Sequence, residues 1–147
     1  MKILLVEDDH VQAGEFGDAL AEAFPNVQLQ TIGSEHSFYS MLDELEKKPP
    51  DIIVMDVMLR WARASSEMPE APEEVINEKH YRAGFRCVKY LSERKMMRNV
   101  NIILYTVLQP TDIETDIKSL PSNVTYLVKD EDYNQFIRTI RRLTANR

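Results

Sequence analysis

Cysteine is nearly absent. Cys87 is the only one in 147 residues, so no disulfide can close within the chain, which suits a reducing compartment. With Val88 and Leu91 nearby it reads as packing rather than chemistry. Long hydrophobic runs are also missing. The first apolar stretch, residues 1–6, turns acidic at Glu7 and is too short for a signal peptide or a membrane span. A cytoplasmic protein without membrane association is expected. There is no excess of positive charge either: 18 Lys and Arg against 24 Asp and Glu give a formal charge of -6. Direct nucleic-acid binding is therefore not expected, and Arg138, Arg141, Arg142 and Arg147 read as a solvated helix face. No repeat or low-complexity tract divides the chain. At 44% hydrophobic and 29% charged, residues 1–147 make one folded domain large enough to bury a core.

Four short apolar runs stand out, at residues 3–6, 52–55, 102–105 and 124–128. Their apolarity is continuous rather than alternating, which predicts strands covered on both faces, as in a parallel sheet. Residues 27–32 alternate and predict a strand near an edge. Helical stripes fill the gaps: Phe16, Leu20 and Phe24; then Phe38, Met41, Leu42 and Leu45 behind a Ser34 N-cap, ended by Pro49-Pro50. Tyr81, Phe85, Val88 and Leu91 form a third stripe. Ile113 and Ile117 mark a short helix over residues 112–120, and Asp132 opens a last helix carrying Phe136, Ile137, Ile140 and Leu143. The alternation predicts an α/β fold, a doubly wound five-stranded parallel sheet with helices on both faces. Residues 60–79 resist this scheme. They form an insert far longer than the usual strand-to-helix loop of about 2–6 residues, and it begins just beyond Asp56.

The chemistry follows the apolar runs. Strand one delivers Glu7, Asp8 and Asp9, strand three Asp56, strand four Thr106 and strand five Lys129. In a doubly wound sheet these points share the ligand-binding rim at the carboxyl ends of the strands. Carboxylates gathered there repel one another unless a cation neutralises them, and an all-oxygen set suits Mg²⁺. A hydroxyl and an ammonium opposite the acids would meet the oxygens of a phosphoryl group on Asp56. Each residue also has a plain structural role: Asp9 as an N-cap, Thr106 as a loop cap, Lys129 as a surface charge. Their ordered placement after four strands is what points to a site.

Four segments carry this pattern: Ile3-Leu4-Leu5-Val6-Glu7-Asp8-Asp9, Asp51-Ile52-Ile53-Val54-Met55-Asp56-Val57-Met58-Leu59, Leu104-Tyr105-Thr106 and Tyr126-Leu127-Val128-Lys129. Together they resemble the receiver domains of bacterial two-component response regulators, over nearly the whole chain apart from the insert. The resemblance implies a flavodoxin-like sheet of order 2-1-3-4-5 and Asp56 as phosphoacceptor. It implies Mg²⁺ (or Mn²⁺) held by Asp8, Asp56, the backbone carbonyl of Met58 and, mostly through metal-bound water, Glu7. Thr106 and Lys129 would bind the phosphoryl oxygens, and Tyr126 would be an aromatic switch that turns inward on activation. The implied partners are a sensor histidine kinase or phosphotransfer protein, and a downstream target or an output domain on a longer chain. The implied chemistry is the domain's own Mg²⁺-dependent phosphoryl transfer and aspartyl-phosphate hydrolysis, rather than conventional enzyme turnover.

Three positions depart from the family pattern. Arg60 stands where proline is common, and the acidic insert follows it, with Trp61 and Met68 available to pack. The insert is either a lid or docking surface beside Asp56, or a solvated excursion. Val107 follows Thr106 where a small residue is usual; with the apolar Met58 and Leu108, and with Trp61, it would control access to Asp56. Asp130 replaces a common proline after Lys129, so no cis bond is expected there. The alternative to a phosphoacceptor is a receiver-like adaptor that works without phosphorylation. An aspartyl-phosphate hydrolase would need an Asp-x-Asp pattern after strand one, which Glu7-Asp8-Asp9 does not supply. A flavin-binding domain would place a phosphate against these same acids.

Overall fold

A computed structural model of the chain describes residues 1–129 and 132–145. Five strands, β1 (Lys2–Val6), β2 (Gln28–Ile32), β3 (Ile52–Met55), β4 (Asn101–Thr106) and β5 (Val124–Val128), form one parallel sheet. Its order is β2-β1-β3-β4-β5, the doubly wound flavodoxin-like arrangement. The alternating strand β2 lies at an edge, as its pattern predicts.

Period-two geometry sends neighbouring strand side chains to opposite faces. Leu4, Val6, Ile53, Met55, Ile102 and Leu104 pack on one side with Phe38, Leu42 and Leu45 of α2 (Glu35–Lys47) and Cys87, Val88 and Leu91 of a later helix. Ile3, Leu5, Ile52, Val54, Ile103 and Tyr105 pack on the other with Phe16 and Leu20 of α1 (His10–Ala23), and with Phe136 and Ile140. Each fully buried Leu, Ile or Phe contributes about 1.5–3 kcal/mol. Hence the continuous apolar runs: a strand sandwiched between helices has no solvent face to make polar.

Asp9 caps α1, accepting from the amides of Val11 and Gln12, and Ser34 caps α2 through Ser37. The insert is partly helical. Pro72 precedes α3 (Glu73–Glu78), a 3-10 turn spans Lys79–Arg82, and α4 (Ala83–Glu93) follows directly. Tyr81 therefore precedes the helix whose stripe it was expected to share, and it is exposed. The expected helix over residues 112–120 is a 3-10 turn, Pro110–Asp112, followed by α5 (Glu114–Lys118), with Ile113 and Ile117 half-buried. The last helix, α6 (Asn134–Thr144), buries Phe136 and Ile140 and leaves Ile137 and Leu143 half-buried. Arg138, Arg141 and Arg142 are exposed on it, as a solvated face requires. Asp130 and Arg147 lie outside the described residues. Among the described residues no helix is long and apolar enough to cross a membrane.

The insert packs on the domain. The Glu35 and His36 amides donate to the carbonyls of Arg60 and Trp61, at 2.9 and 2.8 Å. The Trp61 ring lies 5.2 Å from His36 and 5.9 Å from Tyr39, and its Nε1 donates to Pro69 O at 2.9 Å. Val75 is buried, the Tyr90 hydroxyl donates to Glu74 at 2.8 Å, and Met68 remains exposed.

Candidate functional site

The site residues owe their alignment to ladder hydrogen bonds that continue past the strand ends. Glu7 N donates to Ile32 O (3.0 Å), Asp56 N to Val6 O (3.1 Å) and Lys129 N to Thr106 O (2.7 Å). The parallel register, Val6 beside Met55 and Thr106 beside Val128, thus brings Glu7, Asp56 and Lys129 to one rim.

Lys129 Nζ donates to Asp56 Oδ2 at 2.6 Å, to Glu7 Oε2 at 2.8 Å and to Gln12 Oε1 at 2.8 Å. Three acceptors match the three protons of an ammonium. The other oxygen of Asp56, Oδ1, accepts from the Met58 amide at 3.1 Å. Both carboxylate oxygens are therefore oriented, and both acids are almost fully buried, Glu7 at 4% and Asp56 at 7% exposure. Burial holds Glu7 above the usual carboxylate range even though Lys129 pulls it down. Burial alone would lower Lys129, but Asp56 and Glu7 outweigh it and hold the ammonium more firmly protonated.

Asp8 is engaged differently. Its Oδ2 accepts from Arg60 N at 2.9 Å and from Arg60 Nε at 3.4 Å. Thr106 ends β4 fully buried, and its hydroxyl oxygen lies 3.5 Å from the Leu108 amide that donates to it. The Tyr126 hydroxyl donates to Leu108 O, and its half-buried ring packs against the core on the α2 and α4 side of the sheet. Burial, reinforced by Asp56 and Asp112, pushes the Tyr126 phenol up to about 12. Of the residues expected to control access, Val107 is exposed, Leu108 packs on the core, Met58 is half-buried and Trp61 packs on α2.

Glu7, Asp8 and Asp56 carry only oxygen donors, the chemistry that suits Mg²⁺ or Mn²⁺. Here the acids close on the protein's own cations, Glu7 and Asp56 on Lys129 and Asp8 on Arg60. Among the described residues no three acidic, His or Cys side chains converge as a metal cluster. Chemically, a carboxylate oriented in this way can act as a nucleophile, and an ammonium beside it can neutralise an anion.

Three contributors escaped the sequence reading. Gln12 supplies the third acceptor for Lys129, and nothing about a glutamine in a first helical turn marks it. Gly84 donates its amide to Val57 O at 2.9 Å, and a Cβ there would stand 2.6 Å from Asp56 O and 2.7 Å from Val57 Cα. A glycine inside a helical stripe was its available signal, since helices disfavour it without a packing reason. Arg86, buried in α4, pairs with the buried Glu35; two charged residues within apolar stripes hinted at a partnership, though not at which residues were partners.

No protein-family model matches the chain, and no curated protein matches it significantly. Solved structures do. The signal receiver domain of a signal transduction histidine kinase from Syntrophus aciditrophicus is 19% identical, with 99% of this chain and 90% of that one covered and a TM-score of 0.70. The signal receiver domain of a DNA-binding response regulator from Colwellia psychrerythraea is 17% identical over 99% and 98%, with a TM-score of 0.69. The receiver domain of a sensor histidine kinase from Pseudomonas aeruginosa, with a magnesium ion coordinated in its active-site cleft, is 18% identical over 97% and 95%, with a TM-score of 0.67. At these identities the likeness is one of fold, and this chain has the fold of the response-regulator receiver domains.

Proposed function

We propose that this protein is a phosphoacceptor receiver: Asp56 takes a phosphoryl group from a phosphohistidine on a sensor kinase or phosphotransfer protein. One observation carries the reading. Lys129 joins Asp56 to Glu7 inside the sheet rim, so the nucleophile already has the cation that an incoming phosphoryl group needs.

In the transfer, an Asp56 oxygen forms a bond to phosphorus as the donor's N–P bond breaks and the imidazole leaves. The Met58 amide holds Oδ1 in place, while Lys129 moves from carboxylate oxygens to phosphoryl oxygens and stabilises their charge. Glu7, Asp8, Asp56 and the Met58 carbonyl would hold Mg²⁺ or Mn²⁺, which when bound neutralises charge on the phosphoryl oxygens. Attack of water on phosphorus later breaks the Asp56 O–P bond, releasing inorganic phosphate and returning Asp56 to its carboxylate. The new charge draws in the Thr106 hydroxyl, and the loop that carries Leu108 follows, with the Tyr126 side chain on β5 that donates to it. This reshapes the surface around α5 and β5 that a downstream target or output domain would read. The setting would be the cytoplasm.

The test is intact-mass analysis after acetyl phosphate and Mg²⁺, with Asp56→Asn and EDTA controls. Gain of one phosphoryl group that requires both Asp56 and metal is the expected result. The capture of Asp8 by Arg60 favours a second reading, a phosphorylation-independent adaptor. No mass gain, even with a cognate kinase, would establish that reading instead.

A further inference from the structure

Arg60 opens the insert and reaches back across the site. Its amide and Nε both donate to Asp8 Oδ2, and its Nη2 donates to the Asp8 carbonyl at 3.1 Å. The arginine is not free to drift, because its own carbonyl accepts from Glu35 N at the start of α2. Beyond it, Arg63 Nη2 lies 3.2 Å from His10 Nε2, the first residue of α1. The far end of the insert is held separately: Arg86 donates to Glu78 at 3.2 Å and to Lys79 O at 2.8 Å.

The geometry points to Arg60 as a built-in competitor for the divalent cation at Asp8, so that insert docking and metal binding oppose each other. This rests on the reading above, in which Asp8 ligates the metal. Two N–H donors already share Asp8 Oδ2, and a cation on that carboxylate would bring two positive charges beside the guanidinium. Water screens the pair in part, since the side chains are 49% and 23% exposed. Removing the arginine charge should therefore tighten metal binding roughly three- to ten-fold rather than by orders of magnitude. Linkage makes the effect reciprocal: what the insert takes from metal affinity, metal takes from insert docking. Because Arg86 pins Glu78 and Lys79, and the Arg60 and Trp61 carbonyls are bonded to α2, the loosening is confined to the Arg60 side chain and the residues just after Trp61. A metal-loaded site would thus release the Arg60 and Arg63 side chains to a partner, and a metal-free site would hold them on Asp8 and beside His10.

The experiment measures Mn²⁺ affinity by electron paramagnetic resonance for the full chain, for Arg60→Gln and for Arg60→Lys. Arg63→Gln, which removes the same charge without touching Asp8, serves as control. In parallel, tryptic cleavage after Arg63 in the unaltered protein is timed with and without Mg²⁺ at constant ionic strength. Three- to ten-fold tighter binding by Arg60→Gln alone, with faster cleavage in Mg²⁺, is the expected result. Equal affinity of Arg60→Gln and the unaltered protein, an equal gain in Arg63→Gln, or cleavage insensitive to Mg²⁺ overturns the competition while leaving the receiver reading intact. No Mn²⁺ binding by any of the four proteins overturns both.

Discussion

Arg86 donates to both carboxylate oxygens of Glu35, at 2.8 and 2.7 Å, and ties α4 to the first turn of α2 in the interior of the protein. Glu35 is fully buried and also accepts from the Tyr39 hydroxyl. Burial, helped by Glu35, pushes that phenol well above its usual range. The same guanidinium holds Glu78 and the Lys79 carbonyl, and Lys79 sits at φ 58°, a region that disfavours side chains. One arginine thus fastens two helices and the end of the insert.

Arg86→Met should cost about 3–5 kcal/mol, because it leaves Glu35 as a buried charge without its counter-ion. Urea unfolding of the two proteins measures this. The double variant Glu35→Gln with Arg86→Met should recover part of the loss. A cost below about 1 kcal/mol, as for an exposed ion pair, would show that the pair is not buried as described.

Gly84→Ala should disturb Asp56 from behind. Its new methyl would meet the backbone of Asp56 and Val57, not a flexible side chain, so the loop itself must shift. We expect a loss of about 1–3 kcal/mol from overpacking, with slower phosphorylation from acetyl phosphate at saturating Mg²⁺. Because alanine favours a helix more than glycine does, propensity alone would stabilise the variant, so a loss comes from the contact. An unchanged phosphorylation rate in Gly84→Ala would separate this contact from the chemistry.

Glu7 gives a pH signature. Its folded pKa is raised, chiefly by burial, from a reference of 4.5. A raised carboxyl contributes stability that is present below the unfolded pKa and is lost as pH climbs through the folded value. Glu7→Gln removes this dependence. The stability of Glu7→Gln relative to the unaltered protein should therefore increase as pH rises from 4.5, then level off. Urea midpoints at pH 4, 5, 6 and 7 (about the range over which shifted carboxyls titrate) would reveal it. A difference that falls with pH would reverse the assignment.

Val107 is exposed beside the fully buried Thr106, the position at which two methyls would narrow the approach to Asp56. Val107→Ala should accelerate phosphorylation or hydrolysis of the phosphorylated protein, by roughly two- to ten-fold if about 0.4–1.4 kcal/mol of the barrier is steric. Time courses of intact mass measure both steps. Identical rates would refute access control at this position.

Much of the rim was legible in the sequence because it is written locally. A parallel strand covered on both faces must be apolar throughout, so each run ends visibly, and Glu7, Asp56 and Lys129 stand where the runs end. Thr106 closes β4 itself rather than following it. The short helix α3 was not legible, since it buries only Val75 and has no stripe to display. Pairings between distant residues were not legible either. Nothing near Lys129 selects Gln12, nothing near Arg86 selects Glu35, and nothing near Arg60 selects Asp8. Those choices depend on how α1, α2, α4 and the insert settle against the sheet. The sequence alone determined the strands, the acids, the hydroxyl and the lysine, because hydrophobic period and chain order act over a few residues. Only the tertiary structure decided which cation meets which acid, because charges choose partners by distance in space, and that distance exists only after packing.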